Sequence, residues 1–211
     1  MIRVLIADDH AILRRGLIEI LMREFNGAVW CGEAGNAEQA LSQIEQHPWH
    51  LLILDLSMPG RSGIDVLADL KRIRPKLPVL VLSTYPEDQY GRRMLKAGAS
   101  GYLSKDSAPE ELIRAMRKVL AGGVYVSAAL AEKWALELRE ETSQPLHDTL
   151  SNRELEVLRM IASGKTPSQI AEQLHLSATT ISTFRARILE KMNMTTTAEL
   201  ISYALRNDLV D

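Results

Sequence analysis

The first 125 residues alternate five times between a short apolar run and a longer amphipathic segment, and this alternation restricts the fold more than any other feature. Continuous apolar runs are typical of strands buried on both faces, and the segments between them repeat their apolar residues at helical spacing. The predicted strands lie at residues 3–7, 28–34, 51–54, 78–83 and 101–105. Strict alternation of strand and helix predicts an α/β doubly wound fold, a five-stranded parallel sheet with helices on both faces.

Polar residues stand where four of these strands end, namely Asp8, Asp9, Asp55, Ser83 and Lys105. Because the carboxyl ends of parallel strands meet at one edge of a sheet, we expect these side chains to converge there. Three neighbouring carboxylates repel one another unless a cation is present, and hard oxygen ligands suit Mg²⁺. An Asp55 oxygen could then accept a phosphoryl group, with Lys105 and Ser83 binding its oxygens. Taken singly, each residue is explained as well by a surface or capping role, and only their joint placement favours a site.

Residues 1–125 resemble the CheY-like receiver domain of response regulators, which has a flavodoxin-like sheet. The matching motifs are Asp8-Asp9, Asp55-x-x-Met58-Pro59-Gly60, Ser83 and Gly101-Tyr102-Leu103-x-Lys105. The resemblance implies that Asp55 is phosphorylated by a sensor histidine kinase or a phosphotransfer protein. One departure from the family pattern is Asp106, which follows Lys105 where many receivers carry proline.

The same resemblance assigns a metal site and a switch. Asp9 and Asp55 would hold Mg²⁺ together with the backbone carbonyl of Ser57, and Asp8 would contribute mainly through water. Ser83 and Tyr102 would form the switch pair. Ser83 would move to the phosphate, and Tyr102 would turn inward behind it.

Residues 126–147 are predicted to connect this domain to a second one. Residues 127–139 could form a helix, and the charged and polar run 140–145, which ends in proline, is typical of a linker. The remainder, residues 148–211, has a helical pattern throughout. Within it, a short helix that begins at Pro167, a turn at 175–177 and a longer helix over 178–191 match the helix-turn-helix arrangement, whose second helix enters the major groove of DNA.

The predicted second helix has two different faces. Ile181, Ile188 and Met192 should face the core, with Leu189 partly buried. The opposite face carries small, hydrogen-bonding or basic side chains that can approach base edges, namely Thr179, Ser182, Thr183, Ala186 and Arg187. Four further residues are candidates for phosphate contacts, namely Lys165, Thr166, Arg185 and Lys191. An ordinary helical hairpin with a solvated face is the alternative interpretation.

Residues 148–211 resemble the LuxR/NarL-type helix-turn-helix domain. The match runs through Leu150-Ser151-x-Arg153-Glu154-x-Glu156-Val157-Leu158, Gly164-Lys165, Ile170-Ala171, Leu176-Ser177, Thr180-Ile181, Arg187-Ile188 and Lys191-Met192. It implies that residues 166–185 form the DNA-binding segment and that the final helix mediates dimerisation, so we expect a homodimer on double-stranded DNA. Phe184 departs from the pattern, since the family more often has histidine or tyrosine at this position.

Composition limits the function without identifying it. The chain has a net charge of −2, and the part from Leu146 onward carries seven basic and eight acidic residues, so DNA binding must depend on where the cations lie. The single cysteine, Cys31, excludes an intramolecular disulfide. No apolar run approaches the roughly 18 residues of a membrane span, and the first residues do not resemble a secretory signal. We therefore expect a cytoplasmic protein that does not bind membranes.

The two halves together predict a response regulator in which phosphorylation of Asp55 controls sequence-specific DNA binding and transcription. Such a protein is not an enzyme, beyond slow self-dephosphorylation. One alternative is a DNA-binding transcription factor whose vestigial receiver works without phosphorylation. Another is a phosphohydrolase that resembles the haloacid-dehalogenase group, but those enzymes carry a second aspartate two residues after the nucleophile, where this chain has Ser57.

Overall fold

Five parallel strands form one sheet in the order β2-β1-β3-β4-β5. In the computed structural model, which describes residues 1–59, 61, 63–139 and 145–210, the chain divides into two units, Met1–Glu137 and Leu138–Asp211. The sheet lies in the first unit. Its strands are β1 (Ile2–Ala7), β2 (Val29–Ala34), β3 (Leu51–Leu54), β4 (Val79–Ser83) and β5 (Gly101–Ser104). The predicted five-stranded parallel sheet is confirmed.

Helices connect successive strands and cover the sheet. They are α1 (Ala11–Glu24), α2 (Ala37–Gln46), α3 (Gly63–Ile73), α4 (Glu87–Lys96) and α5 (Pro109–Leu120). Val4 and Ile6 of β1 pack in a hydrophobic cluster with residues of α1 and α5. Leu5 lies between them, is equally buried, and faces the other side because successive strand residues alternate. Both faces of the sheet are therefore buried, which explains the continuous apolar runs.

The register of the central strands aligns their carboxyl ends. Ala7 pairs with Ala34 on one side and with Leu54 on the other. The backbone N–H of Asp55 donates to the carbonyl of Ala7 at 2.8 Å, so Asp8 and Asp55 leave adjacent strands at the same level. The N–H of Lys105 likewise donates to the Ser83 carbonyl at 2.9 Å. The fold thus brings the predicted polar residues to one edge.

A sixth helix, α6 (Ala128–Arg139), follows β5 and α5 and packs against α4. The N–H of Ser127, just before α6, donates to the carboxylate of Glu87 at 3.0 Å, and Lys133 pairs with Asp88 at 3.0 Å. Leu130 is buried against Gly91, where a methyl group would come within 2.9 Å of the leucine. The helix considered within the predicted connecting segment is therefore present, and its residues up to Glu137 belong to the first unit. Residues 140–144 of that segment lie outside the described residues.

The described part of the second unit is helical. A 3₁₀ turn (Leu146–Thr149) precedes α7 (Asn152–Ala162), α8 (Pro167–Gln173), α9 (Ala178–Lys191) and α10 (Thr197–Arg206). Ser151, Thr166 and Thr196 each open a helix with a reciprocal capping box, which satisfies N–H groups that the first helical turn leaves unpaired. The predicted all-helical architecture is confirmed. None of the helices in the described ranges is long and apolar enough to cross a bilayer.

Candidate functional site

Lys105 bridges two buried carboxylates at the carboxyl edge of the sheet. Its Nζ atom lies 2.8 Å from the Oδ2 atom of Asp8 and 2.8 Å from the Oδ2 atom of Asp55. The side chains of both aspartates are almost wholly buried, and that of Lys105 is 10% exposed. These three residues and Asp9 are called the Asp55 site below. Among the described residues no peptide bond is cis, and this includes the bond between Lys105 and Asp106.

His10 lies at the mouth of the Asp55 site. Its Nδ1 atom is 2.8 Å from Asp9 Oδ1 and 3.1 Å from Asp8 Oδ1, and its backbone N–H donates to the same Asp8 oxygen at 2.8 Å. The imidazole is 66% exposed and the Asp9 side chain 30% exposed, so both are accessible from solvent. His10 had no predicted role, although its place directly after two aspartates was a usable signal.

The backbone around Asp55 is closely packed. The N–H of Ser57 donates to Asp55 Oδ1 at 3.1 Å, and the N–H of Gly63 donates to the Leu56 carbonyl at 3.1 Å. A Cβ atom at position 63 would overlap the carbonyl oxygen of Asp55, so only glycine allows α3 to begin so close to the acceptor residue. Gly63 had no predicted role. The predicted role of the Ser57 carbonyl as a metal ligand stays a prediction.

Burial and charge act in opposite directions on the Asp55 and Lys105 pair. Removal from water raises the pKa of the Asp55 carboxyl, and the hydrogen bond and charge of Lys105 offset only part of this rise. Burial alone would lower the pKa of the Lys105 ammonium, but hydrogen bonds and charges from Asp55 and Asp8 outweigh burial and raise it. Lys105 therefore stays protonated, while Asp55 would gain from a further positive charge.

The donor set of the Asp55 site suits a hard divalent cation. Carboxylate oxygens of Asp8, Asp9 and Asp55 and the Nδ1 atom of His10 all lie within 4.8 Å of one another. Three carboxylates share one ammonium, which leaves the cluster with excess negative charge. Mg²⁺ takes one or two carboxylates and fills its other positions with water and phosphate oxygens. The residues present therefore fit the predicted ion.

Ser83 and Tyr102 both contact the backbone of Tyr85. Ser83 Oγ accepts the Tyr85 N–H at 3.2 Å, and the Tyr102 hydroxyl donates to the Tyr85 carbonyl at 2.8 Å. Both side chains are fully buried. The Tyr102 ring thus already has the inward orientation that the receiver resemblance associates with the switched arrangement. One segment of backbone connects the two predicted switch residues.

The second unit presents the predicted base-contacting residues on one exposed helix face. Thr179, Ser182, Thr183, Ala186 and Arg187 are all exposed, and this set is called the α9 face below. The Ser182 and Thr183 hydroxyls donate back to helix carbonyls at 3.1 Å each, so their oxygen lone pairs stay available as acceptors. On the other side of α9, Ile181, Ile188 and Met192 are buried and Leu189 is partly buried, as predicted.

The four predicted phosphate-contacting residues differ in their partners. Lys191 Nζ lies 2.7 Å from the buried carboxylate of Glu154, so it ties α9 to α7. Arg185 donates to the Thr197 hydroxyl and Lys165 to the Gln173 amide oxygen, and within the described residues neither has a carboxylate partner. Thr166 is exposed and caps α8. Within the described ranges, no carboxylate therefore offsets the positive charge of Lys165 or Arg185, and both side chains can contact an anionic ligand.

Lys191 also sets the ionisation of its partner. Burial alone would raise the pKa of Glu154, but the hydrogen bonds from Lys191 and Ser151 outweigh it and hold the pKa below its usual value. The carboxylate is ionised at neutral pH and holds both the start of α7 and the end of α9. Lys191 thus has a structural contact that the sequence pattern did not predict.

Two family models divide the chain in the same way as the structure. Residues 4–117 match the family described as the response regulator receiver domain. Residues 148–204 match the family described as bacterial regulatory proteins, luxR family. Each match covers the unit that contains the corresponding predicted motif.

Curated relatives match over the whole chain. Response regulator UvrY of Escherichia coli strain K12 is 33% identical over 210 residues, which are 99% of this chain and 96% of UvrY. Response regulator GacA of Pseudomonas aeruginosa is 34% identical over an alignment of 212 residues, which covers 100% of this chain and 99% of GacA.

Solved structures of RcsB are similar in fold. RcsB from Salmonella enterica serovar Typhimurium, bound to promoter rprA in the presence of phosphomimetic BeF₃⁻, is 29% identical and covers 96% of this chain and 97% of its own, with a TM-score of 0.66. A structure of two RcsB dimers bound to two parallel DNAs is 28% identical and covers 96% of this chain and 97% of its own, with a TM-score of 0.59.

Proposed function

We propose, from the premise that this chain belongs to the two-component response regulators with a LuxR-type DNA-binding domain, that Asp55 is the phosphoryl acceptor and that its phosphorylation controls DNA binding. The observation that carries the proposal is the buried Asp55 carboxylate, held 2.8 Å from the Lys105 ammonium. Asp8 and Asp9 stand beside it. We further propose that the phosphoryl donor is a sensor histidine kinase or a phosphotransfer protein.

In the proposed step, an Asp55 oxygen forms a bond to phosphorus. The bond between phosphorus and the donor's histidine nitrogen breaks, and that nitrogen keeps the electron pair. The N–H of Ser57 and the ammonium of Lys105 hold the carboxylate in place before attack. Lys105 can follow the new charge to a phosphoryl oxygen, because its flexible stem carries a mobile ammonium. The product is an aspartyl phosphate that adds about −1.5 to −2 charge to an acidic edge.

Mg²⁺ is the cation that this acidic edge would hold. Asp9, Asp55 and the Ser57 carbonyl would be its protein ligands, and Asp8 would act mainly through water. When bound, the ion would neutralise negative charge on the phosphoryl oxygens. The excess of carboxylates over ammonium groups at the site supports this assignment.

Ser83 and Tyr102 would transmit the event away from Asp55. The Ser83 hydroxyl would turn from the Tyr85 N–H to a phosphoryl oxygen, and the Tyr85 segment would adjust its contact with Tyr102. A ligand or modification acts in this way by favouring one of two pre-existing arrangements. The contact of both residues with Tyr85 supports the coupling.

The α9 face would contact bases in the major groove, and Lys165, Thr166 and Arg185 would contact phosphates. A homodimer would present two such faces to half-sites about one helical turn apart. The dimers seen for RcsB on DNA support this arrangement. The protein would act in the cytoplasm, where it can reach both its kinase partner and DNA. We propose no catalytic turnover, because Ser57 stands where an aspartyl-phosphate hydrolase would have an acid/base group.

Phosphorylation with a small phosphodonor and Mg²⁺ tests the acceptor directly. We expect wild-type protein to acquire hydroxylamine-sensitive phosphate and the Asp55→Asn variant to acquire none. Footprinting of genomic DNA with and without the phosphodonor then tests control of binding. Equal labelling of the two proteins would refute the Asp55 assignment. A footprint that is identical with and without phosphodonor would instead favour phosphorylation-independent DNA binding.

A further inference from the structure

His10 places a ring nitrogen between the two aspartates that precede it. We propose that His10 is a ligand of the metal site and determines its specificity, so that the site binds a first-row transition ion such as Co²⁺ or Zn²⁺ as well as Mg²⁺. This inference rests on the proposed function, because it concerns the same Asp55 site. It adds a nitrogen ligand to a set that the receiver resemblance describes with oxygen ligands alone.

The distances fit coordination of one ion. His10 Nδ1 lies 2.8 Å from Asp9 Oδ1 and 3.1 Å from Asp8 Oδ1. Neighbouring ligands of an octahedral ion with bonds of about 2.1 Å are about 3.0 Å apart. Lys105 contacts the other oxygen of Asp8, Oδ2, so the two cationic positions use different atoms of that carboxylate. With the imidazole 66% exposed, an ion can reach this position from solvent.

The chemistry of the ring nitrogen selects the ion. Nδ1 faces two carboxylate oxygens, and in the tautomer that carries its proton on Nε2 the Nδ1 lone pair is directed at an ion bound between the three atoms. Imidazole favours Zn²⁺, Co²⁺ and Ni²⁺, whereas carboxylates, carbonyls and water favour Mg²⁺. Asp8 and Asp9 with His10 therefore form a mixed set that strengthens binding of a transition ion more than binding of Mg²⁺.

A pair of histidine variants tests this assignment in the full-length protein. We compare His10→Gln with the matched variant His50→Gln, since His50 is also exposed but lies before β3, where its Nδ1 accepts the Arg3 N–H. Calorimetric titration with CoCl₂ and with MgCl₂ gives both affinities. We expect His10→Gln to weaken Co²⁺ binding at least about 10-fold. Its Mg²⁺ affinity, and both affinities of His50→Gln, should change less than about 2-fold by comparison.

Proton NMR of the Co²⁺-loaded protein provides a readout that is independent of affinity. A coordinated imidazole shows a hyperfine-shifted ring N–H signal, and we expect one such signal in wild type and in His50→Gln but none in His10→Gln. Equal Co²⁺ affinity in wild type and His10→Gln, or a shifted signal that survives in His10→Gln, would overturn the inference. Mg²⁺ binding with no Co²⁺ effect removes only the role of His10. Failure of the wild-type protein to bind either ion removes the proposed metal site as well.

Discussion

The Asp55 site and the α9 face are built in opposite ways. At the Asp55 site, Asp8, Asp55 and Lys105 are buried, and Lys105 contacts the carboxylates of both aspartates. On the α9 face, the side chains are exposed and bond mainly to their own helix. Strand register therefore determines the geometry of the Asp55 site. Helix periodicity alone determines which side chains the α9 face presents.

This difference should appear in how each region responds to substitution. Changes at the Asp55 site should alter the stability of the fold together with phosphorylation, because its groups are buried in the sheet edge. Changes on the α9 face should alter DNA binding while leaving stability nearly unchanged, since exposed positions away from caps and cores usually contribute little. The effects expected below run from about 3 kcal/mol to less than about 0.5 kcal/mol.

The largest effect is expected for Gly63→Ala. The added methyl group would overlap the carbonyl oxygen of Asp55. The backbone at Asp55 follows directly on the buried strand β3 and cannot easily shift to make room. We expect a loss of about 3 kcal/mol in the free energy of unfolding, the upper range for overpacking, and reduced phosphorylation of Asp55. Urea unfolding and phosphodonor labelling measure the two effects.

Gly16→Ala is the matched control for this substitution. Gly16 lies inside α1, and its added methyl group would meet nothing within 4 Å apart from its chain neighbours and the backbone of its own helix. Alanine is favoured over glycine in a helix interior by about 0.8–1.0 kcal/mol, so this variant should be more stable than wild type. If both variants were stabilised equally, the close approach at Asp55 would have no energetic weight.

Asp55→Asn should act in the opposite direction from Gly63→Ala. The substitution removes one buried charge from a cluster of three carboxylates, while Asp8 remains as a partner for Lys105. Replacing a buried charge that serves function rather than folding commonly stabilises a protein, here by about 1–2 kcal/mol. Urea unfolding in a chelator measures the difference. A destabilised Asp55→Asn variant would show instead that the Lys105 contact contributes more to folding than burial of the charge costs.

Much of the Asp55 site could be predicted from sequence because parallel strands end together. Asp8, Asp55 and Lys105 each follow an apolar run, and the strand register brings them to one edge. His10 and Gly63 could not be assigned in this way. The role of His10 depends on the direction of its ring, and that of Gly63 on how closely α3 approaches the backbone of Asp55.

The second unit shows the same limit. Helical periodicity was sufficient to predict that Ile181 and Ile188 are buried and that Arg187 is exposed. It could not predict that Lys191 pairs with Glu154, because the two residues are 37 positions apart and meet only through the packing of α9 on α7. Local spacing determines a helix face, but contacts between helices depend on tertiary structure.

Glu154→Gln tests the buried carboxylate of α7 that pairs with Lys191 of α9. The pKa of Glu154 is lower in the folded protein than in the unfolded chain, so the carboxylate stabilises the fold above about pH 4.3 and loses this effect as the pH falls further. Lys191 is partly exposed, and solvent screening limits the expected loss at pH 7 to about 1 kcal/mol. Amide hydrogen exchange in α7, followed from pH 7 to well below pH 4, should show wild type and variant converging only as the pH falls through the lowered pKa of Glu154. A constant difference would exclude the ionised carboxylate as the cause.

The smallest effect on stability, less than about 0.5 kcal/mol, is expected for Arg187→Ala on the α9 face. Its effect on DNA should be large, about 10-fold in affinity, because an arginine that contacts a base or phosphate contributes about 1–3 kcal/mol. The salt dependence of binding distinguishes the two contacts, since loss of a phosphate contact lowers the slope by about 1 and loss of a base contact relaxes specificity. Arg15→Ala, which removes an exposed arginine from α1, is the control and should leave DNA binding unchanged. An Arg187→Ala protein that loses several kcal/mol of stability would show that this face belongs to the packed structure, and the contrast with the Asp55 site would no longer hold.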